Sequence, residues 1–165
     1  MWSRGFDGTG IDVALIDSGI APVQGLADPA KVVNGPDLSF ESQSSYYRYL
    51  DTFGHGTHMG GIIVGNDGTS SGFKGVAPGA RLVNLKVATR EGAADVTQVI
   101  AAIDWVVQHR QDGMNIRVLN LSFGTDGIQD RMIDPLAHAV ESAWRNGIVV
   151  VVAGGNGGKI GRAHV

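Results

Sequence analysis

Arg81–Leu121, RLVNLKVATREGAADVTQVIAAIDWVVQHRQDGMNIRVLNL, reads as one strand–helix–strand unit, and that reading decides the fold. Arg81–Val87 and Arg117–Leu121 are short apolar runs of strand length. Between them, Val96, Val99, Ile100, Ile103, Val106 and Val107 recur at helical spacing across Asp95–Arg110, with Asp95 placed to cap the helix. Towards the N-terminus, Ile11–Ile16 predicts a strand and Gly56–Val64 a buried helix, small on one side and Met, Ile and Val on the other. Residues 21–53 read as irregular surface with one short strand near Val32-Val33. Towards the C-terminus, Pro135–Arg145 predicts a helix that stops at Asn146-Gly147. Ile148–Val152 follows as a strand whose β-branched run predicts cover on both faces. Strands alternating with amphipathic helices imply an α/β domain over residues 1–165, a parallel sheet with helices on both faces. In such sheets functional groups gather beyond the carboxyl ends of the strands, where Asp17, Ser122 and Asn156 all fall.

The composition bounds the function. Of 165 residues, 43% are hydrophobic and 18% charged, which suits a packed domain rather than a disordered chain. The net charge of −3, with no basic cluster, gives no reason to expect nucleic acid or an anionic membrane surface as a partner. With no cysteine there is no disulfide, thiolate nucleophile or cysteine-bound zinc. No apolar run reaches the roughly 18 residues of a membrane helix, and Met1–Gly5 is not a signal peptide.

Three residues carry the chemistry. Asp17 ends a strand in Ile16-Asp17-Ser18-Gly19, and His55 opens a helix in Gly54-His55-Gly56-Thr57-His58. Asn156 follows a strand in Ala153-Gly154-Gly155-Asn156-Gly157. Histidine supplies a base that titrates near neutral pH, an aspartate can orient it, and an amide can donate to a developing oxyanion. Each alone has a plainer reading, as a helix-lining histidine, a turn aspartate and an Asn-Gly turn. Their joint occurrence is what favours an acyl-transfer site. No serine, threonine or cysteine follows Asn156.

The chain resembles the N-terminal part of a subtilisin-like (subtilase) serine protease. The resemblance rests on Gly8–Ile20, Gly54–His58, Gly75-Val76-Ala77-Pro78-Gly79-Ala80, Leu119–Gly124 and Val149–Asn156, in family order. It implies a three-layer subtilisin-like fold, truncated before the Gly-Thr-Ser-x-Ala block that carries the family's nucleophile. It implies Asp17 and His55 as acid and base, Asn156 as oxyanion donor, and Ser122, Phe123 and Gly124 as the strand edge that pairs with an extended polypeptide substrate. No cofactor is required. Calcium, common in the family, is left open at Asn66-Asp67-Gly68, although such a sequence more often makes a turn. The family's habit is secretion, so an extracellular location is expected; the resemblance fixes no oligomeric state.

Three other readings compete. Ala153–Ile160 nearly spells a phosphate-binding loop, but its first glycine is Ala153 and its hydroxyl position is Ile160. Asp51, His55 and His58 could ligate a metal, although the glutamate of His-Glu-x-x-His is missing. The strongest rival is a catalytically inactive homologue that binds peptides or a protein partner.

Overall fold

The computed structural model describes residues 1–124, 130 and 132–155. Five strands, β1 (Asp12–Asp17), β2 (Val32–Asp37), β3 (Arg81–Lys86), β4 (Ile116–Leu121) and β5 (Val149–Val152), form one sheet in the order β2-β3-β1-β4-β5. Every neighbouring pair is parallel. Three helices, α1 (His55–Val64), α2 (Val96–His109) and α3 (Pro135–Arg145), connect them.

Alternation along the central strands splits the core into two layers. Ala14, Ile16, Val83, Leu85, Leu119 and Leu121 face α2 and α3, meeting Val99, Ala102, Ile103, Val106, Leu136 and Ala143. Val13, Leu15 and Leu82 face the other way, towards Val64 of α1 and the loop residues Ile20 and Leu26. Helix α1 presents Gly56, Gly60 and Val64 to the sheet, so its small side is the buried one. Helix α2 is closed at its start by a reciprocal capping box, Asp95 with Gln98. At the amino ends of the strands Asp12 accepts two bonds from Arg81, at 2.7 and 2.6 Å, and one from the Asn115 amide at 2.7 Å. That single carboxylate ties the starts of β1, β3 and β4 together.

The strand order sets the location of the site. From β1 the chain builds to one side through β2 and β3, then crosses β1 to build β4 and β5 on the other. The reversal opens a crevice at the carboxyl end of β1, where open α/β sheets take their ligands.

One expectation is extended and one is corrected. The segment near Val32-Val33 is a six-residue edge strand, whose register with β3 shifts between Asn34 and Asp37. Pro36 is tolerated there because an edge strand need not donate on both sides. In β5, cover is one-sided: Val150 and Val152 pack on the α2/α3 layer, while Val149 and Val151 are 52% and 49% exposed. Among the described residues α1 is the only helix on that face, and it sits over β1 and β3.

Ile103 is wholly buried between α2 and the sheet. Ile103→Ala should lower stability by about 2–5 kcal/mol, read from the urea midpoint at unchanged slope.

Candidate active site

Asp17 is the last residue of β1 and is buried, its side chain 2% exposed; His55, the first residue of α1, is 43% exposed. His55 Nδ1 lies 2.8 Å from Asp17 Oδ1 and 3.0 Å from Oδ2. A carboxylate only accepts, so in the neutral ring Nδ1 is the nitrogen that carries the proton and Nε2 the one that keeps its lone pair.

The two residues meet because glycines let the backbones approach. A Cβ on Gly56 would stand 2.2 Å from the Gly19 carbonyl oxygen and 3.2 Å from Asp17 Oδ1. Gly19 itself has φ +107°, and a side chain there would strike Tyr49 and Leu50 at 2.8 Å.

Ser18 and Asp51 brace the pair, and sequence reasoning assigned neither to it. The Ser18 amide donates to Asp17 Oδ1 at 2.8 Å. The Ser18 hydroxyl lies 2.8 Å from Asp51 Oδ1 and 3.2 Å from Asp17 Oδ1, and accepts the Gly56 amide at 2.9 Å. Gly54, the N-cap of α1, has no side chain to accept the first helical amides, and Ser18 takes that of Gly56 while Asp51 takes that of Thr57. Asp51 Oδ1 accepts from Phe53 and Gly54, at 3.1 and 2.6 Å. Its Oδ2 takes the Thr57 amide and hydroxyl at 2.8 and 2.6 Å. Burial pushes the Asp51 carboxyl up, but the bonds from Thr57, Gly54 and Ser18 outweigh it and hold the group below its ordinary range. The signal in the sequence was Asp51 and Thr57 flanking His55, where Asp51 entered only as a metal candidate.

Asp17 and His55 share a cavity of about 250 Å³ with Ser122, Phe123 and Gly124, which leave the end of β4, and with Phe53, Ala88 and Gly92. Larger depressions of about 400 and 390 Å³ lie elsewhere, one around Lys31 and Arg81, the other around Arg48 and Tyr49. Neither contains an acid–base pair like that of His55 and Asp17. The Ser122 hydroxyl accepts from the Asn120 amide at 3.0 Å rather than bonding His55. Asn156 and the end of the Ala153–Ile160 segment lie outside the described residues.

The metal readings find little support. Asp51 and His55 are committed to the contacts above, and His58 is exposed. Asp67 turns both oxygens onto its own loop, Oδ1 to the amide and hydroxyl of Thr69 and Oδ2 to the Phe73 amide, all at 3.0 Å. Asn66 Oδ1 likewise accepts from Gly68. These residues make a turn and do not fit a calcium site. Among the described residues no group of three or more His, Asp or Glu side chains could hold a metal ion.

Two outcomes follow. Gly56→Ala should push α1 off the Gly19 turn, lowering stability and breaking the His55–Asp17 contact, as an imidazole NMR spectrum would register. Asp51 contributes stability that is complete above the unfolded carboxyl pKa of about 3.9 and is lost as pH falls through its depressed folded value. Asp51→Asn should therefore be less stable at pH 7 and show a shallower loss of stability on acidification, measured by denaturant titration across pH.

Comparison with known proteins agrees with the geometry. The sequence profile of the Subtilase family (Peptidase_S8) matches residues 8–164. The chain is 35% identical to serine protease AprX of Bacillus subtilis (strain 168), over 92% of this chain and 34% of that protein. It is 33% identical to the minor extracellular protease Epr of the same organism, over 95% of this chain and 22% of that protein. A crystal structure of a cold-adapted subtilisin-like serine proteinase superposes with a TM-score of 0.68 at 30% identity, covering 92% of this chain and 48% of that one. The chain thus spans about a fifth to a half of the length of these relatives, and it belongs to the subtilase family.

Proposed function

We propose that this chain supplies the acid, the base and the substrate-binding edge of a serine endopeptidase. The observation that carries the reading is the 2.8 Å contact between His55 Nδ1 and buried Asp17, in the same cavity as Ser122, Phe123 and Gly124. The nucleophile in this reading is a serine from a segment beyond these 165 residues.

The mechanism uses each group once per half-reaction. His55 Nε2 takes the serine proton as the hydroxyl attacks the scissile carbonyl, then gives it to the leaving amine as the acyl-enzyme forms. Asp17 keeps Nδ1–H pointed away from substrate and stabilises the imidazolium. The side-chain amide of Asn156 donates to the oxyanion. The backbone of Ser122–Gly124 pairs with an extended polypeptide, which gives affinity with little demand on sequence. This chemistry needs no cofactor. An extracellular location accords with the family and with the name of the relative Epr.

The test is hydrolysis of an unstructured protein by the product of the reading frame continued past the Val165 codon. Asp17→Asn should lower kcat by about 10⁴-fold, by analogy with the orienting aspartate of an unrelated serine protease. Saturable peptide binding with no cleavage by the unaltered protein would favour the inactive homologue instead.

A further inference from the structure

Lys86 is the last residue of β3, pairs in register with Asp17, and is 0% exposed. A lysine ammonium is almost never buried without partners. Here it has four. Nζ donates to the Ser18 carbonyl at 2.9 Å, the Leu50 carbonyl at 2.6 Å and the Thr52 hydroxyl at 3.3 Å, and pairs with Glu41 Oε2 at 2.9 Å. Glu41 is itself tied down, by the Thr52 hydroxyl at 2.9 Å and the Arg90 amide at 3.0 Å.

These partners fall into two groups. Ser18 belongs to the turn that carries Asp17. Leu50 and Thr52 belong to the segment that delivers His55. Two residues back on the same face of β3, Asn84 repeats the arrangement, its amide donating to the Tyr49 carbonyl at 3.1 Å. Asp37 Oδ2 holds the Tyr49 amide at 2.8 Å. The 49–52 segment is thus fastened to the sheet at successive residues, and only Lys86 also reaches the Asp17 turn.

We propose that the buried Lys86–Glu41 pair is a positioning element for the His55–Asp17 dyad, clamping the strand end that bears the acid to the segment that bears the base. The proposal rests on the reading of those two residues as a catalytic pair. It assigns Lys86 no contact with substrate. Glu41 balances the ammonium, whose other protein contacts are to neutral oxygens. Without the clamp the turn after Asp17 and the 49–54 segment are joined by the Ser18–Asp51 bond and by the Ile20 amide on the Tyr49 carbonyl at 3.1 Å, neither of which reaches the end of β3, and the imidazole loses its fixed distance to the carboxylate.

The test is NMR of the full chain with nitrogen-labelled histidine, beside Lys86→Met and Glu41→Gln, with His55→Gln to assign the resonance. The unaltered chain should show a slowly exchanging, low-field Nδ1–H proton on His55. Its absence there would overturn the proposal together with the dyad reading. With that proton present, a folded Lys86→Met that loses it, or exchanges to a mixture of tautomers, supports the clamp. A folded Lys86→Met with an unmoved resonance would overturn the clamp and leave the dyad reading intact. Where Lys86→Met fails to fold, Glu41→Gln decides, since it keeps the ammonium and removes only its counter-charge. A displaced Nδ1–H then supports the proposal, and an unmoved one overturns it.

Discussion

The contact between the first turn of α1 and the turn after β1 is the constraint on which the rest of the site depends. Helix and strand are far apart in sequence, and their backbones meet closely enough that no side chain fits at Gly56. That approach places the imidazole on a buried carboxylate without a long, mobile side chain to bridge the gap. Positioning therefore starts from main chain packed on main chain and is completed by side chains, with Asp51 filling the acceptor role that Gly54 leaves vacant at the helix start. Parallel pairing of β1 with both β3 and β4 makes this possible, because it brings three carboxyl ends to one edge of the sheet.

Much of this was legible in the sequence. The two amphipathic helices α2 and α3 carry their periodicity and their stop or cap residues openly, and the central strands are near-continuous apolar runs. β2 was harder, because Gly35 and Pro36 interrupt its apolar pattern and an edge strand buries only part of its length. β5 misled for the opposite reason. Four valines in succession are equally compatible with one covered face or two, and composition cannot say which.

At the site, Asp17, His55 and the Ser122–Gly124 stretch were readable because each lies at the end of a recognisable element. The bracing groups were not, since Ser18, Asp51 and Lys86 acquire meaning only from who lies opposite. Lys86 did leave one trace: a lysine at the end of a run that is otherwise mostly apolar must find an anion or carbonyls in the fold. Its partner Glu41 is forty-five positions earlier in a segment with no periodic pattern, so no spacing rule connects them.

The half-bare face of β5 bears on how this chain behaves in the test tube. Among the described residues β5 is the last strand in the sheet order, and it carries an uncharged run, Ile148–Val152, with two valines turned outwards. Uncharged β-branched runs at sheet edges template strands from neighbouring molecules, and the Lys, Pro or bulge that usually prevents this is missing from β5. On isolation this edge is therefore a place where neighbouring molecules can pair. A charge introduced at Val149 or Val151 acts at this edge, two strands away from the His55–Asp17 contact.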